Sequence, residues 1–279
     1  MTGETGKRSG FVWPPRQAEE PAAEVEAKPL AWEAGRRGRL VNLALDLEAT
    51  WLGVARAPMR QLREAGWRPD GPLAYCPRCG GDVGPYEADV DGCSACRGQR
   101  RRWERLVRLG RYEGELREAV TAMKFQAWRR VGRELGVLLG SSIAERMATL
   151  RVDPGSAVIA PVPMTTVRRM TRGIDHTMTL ARAAGAASRL PVARLLRKSA
   201  RPAQVSLTRT ERARAPGGAF APMAWGRPAP LVIVVDDVTT TGATLRAACA
   251  AVGRMQREAG LGVRVWGAVV AVTPAPERR

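Results

Sequence analysis

"LVIVVDDVTTTGATL", residues 231–245, is the stretch on which the fold turns. Five apolar residues run into two adjacent aspartates, and three threonines and a glycine follow. An unbroken apolar run of this length suits a strand buried on both faces. Such strands deliver their C-terminal residues to the crevice where open α/β sheets bind ligands. Asp236 and Asp237 stand at that end of the predicted strand, 231–237. Thr239, Thr240, Thr241 and Gly242 then form a loop into a helix predicted over 243–259 and closed by Gly260. Ala243 and Thr244 open that helix. Successive backbone N–H groups at a helix start form an anion cradle, the threonine hydroxyls add donors, and Gly242 permits close approach of the backbone. Two carboxylates accept hydrogen bonds from vicinal sugar hydroxyls. The string therefore describes a site for a ribose carrying a 5-phosphate. A capped helix beside exposed acids is the alternative. A Walker A loop would need a G-K-[ST] sequence, which is absent from this loop.

The surrounding chain alternates in the same rhythm. Helices are expected over 114–125, 129–150 and 175–188, and strands over 157–163 and 263–272. Strands alternating with helices predict an α/β fold, a doubly wound and mostly parallel sheet with helices on both faces. Upstream, residues 1–35 have little periodicity and read as a disordered tail bearing Trp13 and Trp32. Residues 36–72 read as a helical extension, with Leu40, Leu43, Ala44, Leu47, Trp51 and Leu52 on one face as far as about Glu64. Gly66, Pro69, Gly71 and Pro72 then break the chain. A small ribbon at 73–99 and an α/β domain at 100–279 complete the expected organisation.

The ribbon carries "CPRCGG" (76–81) and "CSACRG" (93–98). Paired C-x2-C knuckles at this separation suit a tetrahedral Zn²⁺ held by Cys76, Cys79, Cys93 and Cys96. Four cysteines leave no open coordination position, so the expected zinc is structural. The alternative is a pair of reduced or redox-active dithiols. A ribbon this small needs the metal to fold. Cys249 falls at helical spacing with Leu245, Ala248 and Val252 and reads as core.

The formal net charge is +18 over 279 residues. That balance favours a polyanionic partner, although a genome that writes arginine freely gives the same excess. "RGQRRRWERLVRLGR" (97–111) reads as a solvated helix face, or else as a nucleic-acid patch on which Trp103 and Tyr112 stack bases. No run approaches the length of a membrane span, and no apolar signal core opens the chain. The expectation is a cytoplasmic protein.

The 231–245 string resembles the phosphoribosyl-pyrophosphate (PRPP) motif of the type I phosphoribosyltransferases, with Thr239 where the motif has an apolar residue. "YEGELREAVTAMKFQ", "VIAPVPMTTVRRMTRGIDHTMTLA", "AQVSLTRTERARAPGGAF" and "VVDDVTTTGATL" follow a four-cysteine ribbon in this order. Over roughly 73–272 the chain resembles the ComF family of competence-associated, phosphoribosyltransferase-like proteins. The resemblance implies PRPP with Mg²⁺ as ligand. It places the 5-phosphate at Thr239–Thr244 and the ribose hydroxyls at Asp236 and Asp237. Pyrophosphate and Mg²⁺ would be neutralised by Arg168, Arg169 and Arg172. The family pattern also keeps a lysine at Lys124, implying phosphate contact; the alternative is a solvated lysine at a helix end. Two departures stand out: Ile174, Asp175 and His176 replace the usual R-G-F/Y-N-Q ending, and Ala215 replaces an asparagine.

His176 is the one histidine of the chain. It reads as a packing or capping residue, or as a proton-transfer group. Two functions follow. One is a phosphoribosyltransferase acting on an unnamed acceptor, linked to DNA uptake in competence or to nucleotide metabolism. The other is a nucleic-acid-binding factor for DNA uptake or recombination that keeps the fold, with single-stranded DNA and competence or recombination proteins as partners.

Overall fold

The computed structural model describes residues 58–84, 86–99, 101–125, 129–164, 175–199 and 219–274. The expected tail, most of the helical extension, Arg168, Arg169, Arg172 and Ala215 lie outside them.

Four strands form the central sheet: β3 (Arg105–Arg111), β4 (Ala157–Pro161), β7 (Leu231–Thr239) and β8 (Val265–Val272). Their spatial order is β3-β8-β7-β4, and every neighbouring pair is parallel. Alternation along β7 sorts the core. Leu231, Ile233 and Val235 face α1 (Pro58–Glu64), α2 (Gly114–Phe125), α3 (Arg129–Thr149) and α4 (His176–Ser188). Val232 and Val234 face α5 (Ala243–Glu258) and the hairpin of β5 (Leu196–Lys198) and β6 (Phe220–Pro222). Both faces are covered, which is why the strand reads as continuous apolar sequence.

α3 and α4 pack with unusually close backbones. A Cβ on Gly136 would lie 2.7 Å from the Leu180 carbonyl oxygen, and one on Gly140 would run into that of Ala184. Two glycines one helical turn apart thus form a groove for α4.

The ribbon, with β1 (Ala88–Asp89) and β2 (Gly92–Cys93), precedes the sheet and caps its edge. Leu106 donates its backbone N–H to the Pro77 carbonyl, and the Tyr75 hydroxyl meets the Arg108 N–H. Arg108 is 2% exposed. Its guanidinium donates to the Gly80 carbonyl and pairs with Asp82 and, at 2.7 Å, with Asp70, beneath the Tyr75 ring. The expectation of one solvated helix face over 97–111 is therefore corrected. Residues 105–111 are an edge strand of the central sheet. Arg108 is buried there because two carboxylates and a carbonyl replace the water it gives up. The α/β rhythm starts at Arg105 rather than near Tyr112.

Candidate functional site

Handedness positions the site. The chain leaves β4 towards α4 on one face of the sheet and leaves β7 towards α5 on the other. The crevice beyond the carboxyl ends of these two adjacent strands is the topological switch point, where doubly wound sheets bind ligands. The β7 side of that crevice carries the 236–244 string.

β7 is longer than the sequence suggested. Its ladder with β8 runs on to Thr239, which pairs with Val272. Asp236 and Asp237 thus lie inside the end of the strand, as expected, and it is Thr239 that moves from the predicted loop into the strand. Thr239 is buried, whereas Thr240, Thr241, Ala243 and Thr244 are exposed. Gly242 is the N-cap of α5 at φ 71°, ψ 8°, a left-handed conformation in which glycine carries no strain. No side chain caps this helix. Its first N–H groups have no partners within the helix and stand beside the exposed residues Thr240, Thr241, Ala243 and Thr244.

The two aspartates have different surroundings. Asp237 Oδ2 lies 2.8 Å from His176 Nε2 and 3.2 Å from Lys124 Nζ. Three elements meet on one oxygen: the end of β7, the start of α4 and the end of α2. Burial alone would raise the pKa of Asp237, but His176 and Lys124 together hold it below the usual carboxylate range. Among the described residues no cation is recorded in contact with Asp236. Burial and the neighbouring Asp237 charge push it up to about 7, against the weaker pull of Lys124 and Lys198. Its field reaches Cys249 on α5, while Asp237 contacts α2 and α4. Successive strand residues point to opposite faces.

His176 is 5% exposed, and its Nδ1 is buried with no hydrogen-bond partner among the described residues. Asp175 caps α4 by accepting from the Met178 N–H at 3.0 Å. The capping role thus belongs to Asp175, while His176 touches the candidate carboxylate directly. Lys124 is only partly buried and also lies 5.8 Å from the Tyr112 ring.

The four cysteine sulfurs lie within 4.8 Å of one another. Cys76 and Cys96 Sγ are 3.6 Å apart, and Cys79 and Cys93 Sγ are 3.7 Å apart. A tetrahedron with metal–sulfur bonds of about 2.3 Å has edges of about 3.8 Å. The Cys93 and Gly81 N–H groups donate to Cys76 and Cys79 Sγ, as is expected around thiolates. The cluster fits one tetrahedral metal ion.

No family model matches the chain. Over 198 residues it is 27% identical to the competence protein F of Haemophilus influenzae, an alignment covering 69% of this chain and 83% of that protein. The chain is a homologue of competence protein F.

Two features of this homologue escaped the sequence. Lys198, on the short β5 hairpin, acts electrostatically on Asp236 from a segment with no distinguishing pattern. Trp103, which the nucleic-acid alternative would have stacking on bases, is 4% exposed and donates its Nε1–H to the Arg78 carbonyl. Tyr112 likewise packs against the core. Beside Trp103, a cleft of about 290 Å³ is lined by Arg78, Arg101, Arg102 and Arg257. Arg101 lies 5.5 Å from the Trp103 ring. No helix among the described residues is long and apolar enough to cross a membrane.

Proposed function

We propose that this chain binds PRPP or ribose 5-phosphate, with Mg²⁺, in the crevice between β4 and β7, and that it serves DNA uptake in competence as a phosphoribosyltransferase. The uncapped start of α5 carries the reading. There, exposed Thr240, Thr241 and Thr244 surround left-handed Gly242 beside two carboxylates of different charge state. The 5-phosphate sits on the N–H groups and hydroxyls of 240–244. Asp237, held ionised by Lys124 and His176, accepts a ribose hydroxyl, and Asp236 accepts its neighbour. Arg168, Arg169 and Arg172, in the segment joining β4 to α4, neutralise the pyrophosphate with Mg²⁺. Such a transferase breaks the C1′–pyrophosphate bond through an oxocarbenium-like transition state. Catalysis is then positioning and charge stabilisation, with no covalent nucleophile. The four cysteines hold structural Zn²⁺.

Calorimetric titration with PRPP, with and without Mg²⁺, tests the reading. Saturable binding that strengthens with Mg²⁺ is expected, and no heat under either condition counts against it. The four-arginine cleft favours a second reading, that the fold serves mainly to hold nucleic acid. Single-stranded DNA binding without PRPP binding would give that reading first place.

A further inference from the structure

A groove of about 680 Å³ runs between the ribbon and the end of α3 and shares no residue with the crevice or the arginine cleft. Leu73, Tyr86 and Val90 line it, at 91%, 103% and 69% exposure. They are three of the five exposed large hydrophobics among the described residues, so the apolar surface is concentrated on this one face. Tyr86 is held at φ 67°, a strained value for a residue with a side chain. Arg105 and Arg146 share the lining with Asp89, whose carboxylate is already paired with Arg97 at 2.5 Å. Arg146 donates to the Pro72 carbonyl at 3.1 Å, and the nearby Glu104 carboxylate acts on Arg105 only through its field, being directed to Arg264 at 3.8 Å. Burial, and then the like charge of Arg146, push the Arg105 guanidinium below its ordinary range. Two like charges beside apolar rims call for an occupant that is acidic and carries apolar anchors.

The chain contains such a segment. Residues 19–33, "EEPAAEVEAKPLAWE", carry five glutamates and one lysine in a protein of net charge +18, with Leu30 and Trp32 beside them. Twenty-four residues separate Glu33 from Pro58. Even fully helical they would span about 36 Å, the scale of a domain of this size, and farther if extended. We propose that segment 19–33 docks in this groove, its glutamates against Arg105 and Arg146 and its Leu30 and Trp32 against Leu73, Tyr86 and Val90.

Hydrogen exchange on the full chain tests this. A triple variant, Glu24→Gln, Glu26→Gln and Trp32→Ala, leaves every described residue intact. Amides of residues 86–91 should exchange at least tenfold faster in it than in the parent. A synthetic peptide of residues 17–35 added to this variant should restore protection. That peptide should bind at least tenfold more weakly once Arg105→Gln and Arg146→Gln are added, with circular dichroism and metal content unchanged. Equal exchange in parent and triple variant, with no binding of the peptide, would overturn the proposal. So would protection that rises with chain concentration equally in both, which would assign the groove to a second copy.

Discussion

Asp236 and Asp237 are neighbours in the chain with opposite electrostatic fates. Asp237 keeps its charge because Lys124 and His176 reach it, and Asp236 is driven towards neutrality by burial beside that charge. Environments that separate two carboxylates in this way divide acid–base roles between them. They also shape stability. The folded pKa of Asp236, about 7, lies above its ordinary 3.8. The folded state therefore binds the extra proton, and this group's contribution is fully present below about pH 4 and lost as pH rises through 7. Asp236→Asn removes the penalty. The variant should match the parent near pH 4 and exceed it by up to about 4 kcal/mol at pH 8, measured by denaturant unfolding across that range. Parallel pH profiles for the two proteins would show that Asp236 titrates normally.

At the scale of elements, what was legible followed the hydrophobic pattern. The helices at 114–125 and 129–149, the strand at 231–239 and the helix at 243–258 fall within a few residues of expectation. Their apolar residues repeat at the period of the structure they form. β3 was hidden because its arginines look solvated until Asp70, Asp82 and the Gly80 carbonyl are brought to Arg108 from the ribbon. The β5–β6 hairpin was hidden because three-residue strands carry no period. The Asp-Thr string was legible as a site, but not the meeting of His176 and Lys124 on Asp237, since they come from helices more than fifty residues apart in sequence. The ribbon's docking changes what metal loss should do. Tyr75, Pro77, Gly80 and Asp82 cover the outer edge of β3, so unfolding the ribbon strips that edge. Cys79→Ser, or removal of metal by a chelator, should lower the melting temperature of the whole α/β domain. We expect roughly 5–10 °C in calorimetry, which corresponds to about 3 kcal/mol for a domain of this size. An α/β transition that stays in place would show that the ribbon hangs free of the sheet.

At the scale of the molecule, four of the chain's arginines, Arg78, Arg101, Arg102 and Arg257, line one cleft between the ribbon and α5, with Glu104 as the acid among them. Trp103 connects it to the crevice, for a Cβ on Gly242 would lie 3.4 Å from the Trp103 ring. A nucleic acid lying in the cleft would therefore approach the 240–244 loop. Replacing Arg101, Arg102 and Arg257 together by glutamine should weaken single-stranded DNA binding at low salt. It should also flatten the slope of log K against log salt by about two units, at roughly 0.7 per single-strand phosphate contact. An unchanged slope in fluorescence titrations would return this cleft to ordinary solvated surface.

Under the proposed function, the loop after β7 holds the 5-phosphate of a ribose. Thr241→Val tests it most directly, because Thr241 is exposed, contributes nothing to the core, and loses only its hydroxyl to a side chain of similar size. Affinity for ribose 5-phosphate, followed by ³¹P nuclear magnetic resonance, should fall about ten- to a hundredfold, the worth of a hydrogen bond to a charged group. Equal affinity in parent and variant, or no phosphorus shift with the parent, would contradict the claim.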